Sequence, residues 1–225
     1  MNKLSMILTA ALTLCAATSA EAATVFDTTS SSTATWQPFG RPNTSTYGQT
    51  FTAPTDNVLN SFSLFLTPTG AVDFKAFLYL WDGTKATGTS LFSSDILNSN
   101  NGPEFMFNTG GISLLSGAQY VAFLTTAGVP GGNGTTTMPT DGYQDTLPGG
   151  SFVYYNAGND FAALTSSSWD KTGGGDDVFF KASFSSAVAA VPEPGTWAMM
   201  LVGFAFIGGA MRSAKRRQKL TVAFA

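Results

Sequence analysis

The candidate catalytic side chains of this chain are carboxylates. The 225 residues contain no histidine, and the single cysteine, Cys15, lies in an amino-terminal apolar run. Ser-His-Asp and Cys-His nucleophile systems are therefore excluded, and zinc would lack its preferred ligands. Residues 23–190 hold twelve carboxylates, of which Glu104 is the only glutamate.

Carboxylates alone leave one catalytic alternative, because glycoside hydrolysis needs only two of them. Nothing in the sequence pairs any two of the aspartates, so we expect no catalytic residues and a non-enzymatic protein. Residues 23–190 carry five basic side chains against the twelve acidic ones, a net charge of about −7. Such a segment repels phosphate backbones, so we expect no nucleic-acid partner.

Calcium is the metal that the sequence suits best. Asp141-Gly142 with Asp145, and Asp176-Asp177 after a glycine run, place hard oxygen ligands in turn sequences. Neither has the spacing of an EF-hand loop. Aspartates in turns commonly bind their own backbone, so we assign no metal ligand and no cofactor, and calcium stays open.

Three tryptophans of the central segment, Trp36, Trp81 and Trp169, are able to stack on sugar rings if they are exposed. Packing in or beside a core is the favoured interpretation for each of them. Trp81 is the best sugar-binding candidate, because it ends a predicted strand beside the Asp82-Gly83 turn.

The central segment has the alternation of β-strands. In residues 72–81, Val72, Phe74, Ala76, Leu78 and Leu80 fall on one face and Phe77, Tyr79 and Trp81 on the other. Similar runs occur at residues 59–66, 105–107, 120–125, 152–155 and 178–184, with Gly- and Pro-rich turns between them. We predict an all-β, antiparallel β-sandwich (jelly-roll-like) domain over residues 23–186, followed by a linker at 187–190.

The amino end has the three parts of a secretory signal. Lys3 is followed by an apolar stretch at residues 6–17, and Ala20 and Ala22 form an A-x-A site ahead of Ala23. We predict a signal peptide at residues 1–22, with signal peptidase and the export machinery as partners. Lipidation of Cys15 is disfavoured, because the bulky Leu14 precedes it.

The pattern at the carboxyl end predicts a single transmembrane helix. Residues 195–211 are uncharged, and Arg212, Lys215, Arg216 and Arg217 follow as a stop-transfer cluster. About 25 Å of helix is short for a bilayer but workable if the flanking side chains reach outward. The β domain would then lie outside the cytoplasm, with residues 218–225 as a cytoplasmic extension.

The tail also resembles a known sorting signal. Pro192-Glu193-Pro194, Trp197-Ala198-Met199-Met200, Gly203-Phe204 and the basic cluster, at residues 191–217, resemble the PEP-CTERM sorting domain in its PEPxxWA subtype. The resemblance implies that Pro192, Glu193, Pro194, Trp197 and Ala198 form the sorting signal. It also implies an exosortase of a Gram-negative bacterium as partner, cleavage near Pro-Glu-Pro, and a biofilm setting.

We therefore expect an exported surface or matrix protein. Its precursor would be anchored in the inner membrane with the domain in the periplasm, and the product would reach the cell surface or the medium. Exopolysaccharide is the candidate partner of the domain. A glycan hydrolase using paired aspartates and a structural surface protein without a ligand are the alternatives.

Overall fold

The computed structural model describes residues 23–30, 34–172, 175–187 and 194–220. It divides into two units, a β domain at Glu21–Ala187 and a unit that contains the carboxyl-terminal helix. The strands are β1 (Val25–Asp27), β2 (Thr35–Phe39), β3 (Thr46–Thr52), β4 (Val58–Phe65), β5 (Asp73–Trp81), β6 (Ala86–Ser93), β7 (Leu97–Asn98), β8 (Glu104–Ser113), β9 (Gln119–Thr125), β10 (Thr136–Pro139), β11 (Ser151–Tyr155), β12 (Asp170–Lys171) and β13 (Phe180–Ser185). The helices are α1 (Ala163–Ser166) and α2 (Pro194–Leu220), with a 3₁₀ turn at Ser99–Asn101.

The strands form two main antiparallel sheets and a ribbon. The smaller sheet has the order β1-β13-β4-β8, and the larger has the order β12-β11-β3-β9-β5-β6, with β7 pairing β5 at its margin. A two-stranded ribbon joins β10 to β2. The predicted all-β, antiparallel fold is confirmed, and its finer assignment to a jelly roll stays a prediction.

One aromatic core lies between the two main sheets. Phe51 of β3 stacks on Phe180 of β13 with ring centroids 5.5 Å apart, and Phe74 of β5 meets Phe105 of β8 edge to face at 4.9 Å. Burying one such ring contributes about 2–3 kcal/mol. The core therefore rests on the alternating phenylalanines of the sequence.

The larger sheet is buried on its outer face as well. Phe77, Tyr79 and Trp81 of β5 pack there with Phe123 of β9 and with Trp169, in a second apolar cluster that also includes Leu164 of α1. β5 thus has buried apolar side chains on both of its faces. Leu80, predicted on the same face as Phe74 and Leu78, is 38% exposed. It lies where the register of β5 on β6 shifts, between Leu78 and Leu80.

The six predicted strands all occur, with shifted ends. The run at 105–107 is the start of the much longer β8, which continues through Gly110 and Gly111, and 59–66 corresponds to β4. The sequence patterns missed short or polar strands such as β1, β6 and β12. β6 (ATGTSLFS) is an edge strand with mostly exposed side chains, so no buried face imposes alternation on its sequence.

Candidate functional site

Helix α2 carries most of the predicted sorting signal. It begins at Pro194, a residue suited to the first helical turn because its missing N–H would have had no partner there. Large apolar side chains are exposed all along its described part: Trp197, Met199, Met200, Leu201, Val202, Phe204, Phe206, Ile207 and Met211. A helix that is apolar on every side is suited to an apolar environment rather than to water.

Among the described residues, no helix combines the length and the apolar character that are needed to cross a membrane. The predicted carboxyl-terminal helix is therefore present, but the prediction that it spans a membrane is not confirmed.

The predicted site residues fall partly inside the described chain. Ala20, Ala22, Pro192 and Glu193 lie outside it, and Ala23 is the first described residue. Trp197 and Ala198 are exposed in the first turns of α2. The same helix contains Arg212, Lys215, Arg216 and Arg217, so the described part of the signal, from Pro194 to Ala198, and the basic cluster lie on one continuous helix.

The two ends of the β domain meet on one carboxylate. Asp56, in the β3–β4 connection, accepts the hydroxyl of Thr24 on Oδ2 at 2.7 Å and the hydroxyl of Ser186 on Oδ1 at 2.6 Å. The backbone carbonyl of Thr24 also accepts from the Phe184 amide at 2.8 Å. The hydrogen bonds from Ser186 and then Thr24 hold the pKa of Asp56 below its usual value. Both ends of the domain are thus fixed beside one another.

The two aspartate loops singled out for calcium do come together. The Asp141 amide donates to the carbonyl of Asp177 at 3.2 Å, and burial raises the pKa of Asp177 to about 6, with smaller contributions from Asp141 and Asp145. The Asp141 carboxylate accepts from the Gln144 amide and the Thr146 hydroxyl. The Asp141 carboxylate thus braces its own loop, whereas the Asp177 carboxylate, which accepts from the Leu147 amide at 2.6 Å, joins the two loops.

A metal site would need several ligating side chains grouped around one point, not only two loops in contact. Over the ranges that the structure describes, no three acidic side chains come together in a group that could hold a metal ion.

The tryptophans pack rather than present open faces. Trp81 and Trp169 are 8% and 7% exposed and meet edge to face, with ring centroids 5.5 Å apart. The Trp169 indole N–H donates to the carbonyl of Leu164 at 2.9 Å. Trp36 is half-buried and stacks on Phe152 at 5.4 Å. Packing is confirmed for Trp81 and Trp169, so Trp81 is not an open sugar platform.

Comparison with known proteins decides the nature of the tail. The family model for the PEP-CTERM protein-sorting motif matches residues 190–217. Those residues are a PEP-CTERM protein-sorting motif. No curated protein and no solved structure matches the chain.

The PEP-CTERM motif agrees with the predicted segment 191–217 to within one residue at its start. It implies export, a membrane-anchored precursor and sorting to the cell surface by an exosortase. The assignment to the PEPxxWA subtype stays a prediction. The β domain lies outside the matched residues, so its role has to be argued from its own side chains.

Sequence reasoning missed Asp56 altogether. The residue sits in the unremarkable run Pro54-Thr55-Asp56-Asn57, and its partners lie 32 and 130 positions away. No local pattern signals such a contact, since it exists only once β1 and β4 have both paired with β13.

Proposed function

We propose that this chain is the precursor of a non-enzymatic surface or matrix protein, whose β domain is exported, sorted through the PEP-CTERM motif and placed among the exopolysaccharide of the cell. The observation that carries the proposal is the position of the motif. β13 ends at Ser185, and the motif begins at residue 190. A folded β domain is thus joined to a sorting tail by only a few residues.

The tail has the character that this route needs. Residues 195–211 carry no charge, and the basic cluster follows at once. Exposed apolar side chains along α2 support insertion into the inner membrane before processing, with the cluster on the cytoplasmic side. A short apolar stretch is accommodated by local thinning of the bilayer or by flanking side chains that reach the interface.

A binding or structural role for the domain is supported by how its carboxylates are used. Asp56 holds the chain ends, and Glu104 lies 3.5 Å from Lys181 in an ion pair. Asp141 accepts from Thr146 of its own loop, and Asp177 accepts from Leu147 of that loop. The buried pair Asp141 and Asp177 does not face an open cleft, as a glycosidase pair would have to. The hydrolase alternative therefore gains no support.

The test is intact-mass and carboxyl-terminal peptide analysis of the protein from its native host. The mature chain is expected to begin near Ala23 and to end near Pro192. A Glu193→Ala variant should accumulate as uncleaved precursor, whereas Asp95→Ala, which changes an exposed carboxylate of the β domain, should be processed normally. A mature protein that still contains Trp197–Met211 peptides would contradict sorting by cleavage and leave a plain anchor.

Association with exopolysaccharide is tested separately on the mature protein. Co-sedimentation with polysaccharide purified from the host is expected to retain the protein without releasing reducing sugars. Release of reducing sugars that disappears on single aspartate substitutions would restore the hydrolase alternative. Absence of retention would leave a structural surface protein without a glycan ligand.

A further inference from the structure

Both ends of the β domain leave it at the same place. β1 and β13 pair antiparallel, and Thr24 and Ser186 share the carboxylate of Asp56. The predicted signal cleavage site lies two residues before Thr24, and Pro192 lies six residues after Ser186.

Two loops complete this part of the domain. Residues 53–57 join β3 to β4, and residues 114–118 join β8 to β9. They are bonded to each other, from the Ala53 amide to the Ala118 carbonyl at 2.9 Å and from the Leu114 amide to the Asn57 carbonyl at 2.8 Å. We call Thr24, Ser186 and these two loops the terminal end.

The terminal end exposes an apolar side chain. Leu115, in the loop between β8 and β9, is 72% exposed. The backbone under Leu115 is fixed, because its amide donates to the Tyr120 hydroxyl at 2.8 Å. A single exposed leucine is ordinary on a protein surface. Leu115 differs because it lies at the end of the domain from which the chain continues into the PEP-CTERM motif.

We propose that the terminal end is the lipid-facing surface of the precursor and that Leu115 contacts the interfacial region of the bilayer. The inference rests on the proposed function, in which the precursor is anchored by its tail. The lipid surface is the occupant because the chain continues from Ser186 into the PEP-CTERM motif, whose residues 195–211 carry no charge. Leu115 on a rigid loop adds an apolar contact at the depth where interfacial side chains lie.

The opposite end of the domain provides the matched control. Thr69 is exposed in the turn after β4, whereas Asp56 and Asn57 precede β4 at its other end. The chain also permits selective labelling, because Cys15 is its only cysteine. In a Cys15→Ser background, Leu115→Cys and Thr69→Cys each create one attachment point for an environment-sensitive fluorophore.

The experiment places the labelled full-length chains in vesicles of phosphatidylethanolamine and phosphatidylglycerol that contain a nitroxide-bearing lipid. Fluorescence at position 115 is expected to be quenched at least twofold more than at position 69. Adding Asp56→Ala, which frees both chain ends, should shrink that difference, whereas adding Asp95→Ala should not.

Flotation of the same vesicles separates the two ways of failing. If the protein floats with the vesicles and both positions are quenched equally, the lipid-facing surface is wrong while the anchored precursor stands. If the protein does not float, the proposal of a tail-anchored precursor is wrong, and the proposal that the terminal end faces lipid is wrong with it.

Discussion

Gln49 holds Asp177 from within the sandwich. Its side-chain amide donates to Oδ1 of Asp177 at 2.5 Å, and its carbonyl oxygen accepts from the Val178 amide at 3.1 Å. The other oxygen of Asp177 accepts from the Leu147 amide at 2.6 Å. Both side chains are completely buried. The contact ties the third strand to the segment that leads into the last one.

The first prediction concerns the pH dependence that this buried carboxylate imposes. Burial raises the pKa of Asp177 from 3.8 to about 6, so the folded state favours the neutral form. The resulting stabilisation is fully present below about pH 4 and is lost as the pH rises through about 6. A shift of this size corresponds to roughly 3 kcal/mol of unfolding free energy.

Asp177→Asn should remove that contribution to the pH dependence. Relative to the wild-type protein, the variant is expected to lose less unfolding free energy between pH 4 and pH 8, measured by urea denaturation. The difference between the two proteins isolates Asp177, since other carboxylates titrate in both. Asp176→Asn removes the same charge one position earlier from a half-buried side chain. An identical effect from both substitutions would point to net charge rather than to burial.

A second prediction concerns Trp81. Its indole is buried against Trp169 in the outer cluster of the larger sheet. Trp81→Ala is expected to lower the free energy of unfolding by about 3–5 kcal/mol, as large-to-small core substitutions do. Thermal unfolding followed by near-ultraviolet circular dichroism measures this. A variant as stable as the wild type would mean that the indole contributes no packing energy.

The sequence predicted the parts of the fold that have a repeating physical cause. The alternation in β5 placed Phe74 and Phe77 on opposite faces, where the structure has them, and both side chains are buried. The PEP-CTERM motif was equally readable, because its residues are contiguous. Asp56 and the Gln49–Asp177 contact were not readable, since each joins segments more than a hundred positions apart. The burial of Trp81 was also hard to predict in detail. A tryptophan at the end of a strand does not reveal which distant segment, here the one with Trp169, will cover it.

A third prediction concerns Gly48 in β3. A Cβ atom at this position would lie 2.8 Å from Cβ of Phe123, the residue opposite it on β9. Both atoms belong to rigidly paired strands, so the clash cannot be relieved by rotating a side chain. Gly48→Ala is expected to lower the unfolding free energy by about 1–3 kcal/mol, as overpacking does.

The control for Gly48 relieves the contact from the other side. Phe123→Ala alone should destabilise through the cavity it leaves, but it keeps a Cβ atom and so should not rescue Gly48→Ala. Phe123→Gly should rescue part of the Gly48→Ala loss. The unfolding free energy of the Gly48→Ala, Phe123→Gly double variant is measured by urea denaturation. If the changes of the two single variants simply add, the two positions do not clash.

The last prediction concerns the two hydrogen bonds that Asp56 accepts from Thr24 and Ser186. Asp56→Ala removes the acceptor of both Thr24 and Ser186 at a half-buried site on the domain surface, so the global unfolding transition should move little. The loss should instead be local, because β1 is three residues long and its pairing with β13 is reinforced at the Thr24 end by this carboxylate. Hydrogen exchange is expected to speed up at the Phe184 amide, which donates to Thr24, and to stay unchanged at the Phe123 amide in the centre of the larger sheet. Thr24→Ala should reproduce the effect at Phe184, whereas Ser186→Ala should loosen only the start of the linker. Unchanged exchange at Phe184 in Asp56→Ala would mean that strand pairing alone holds the amino end.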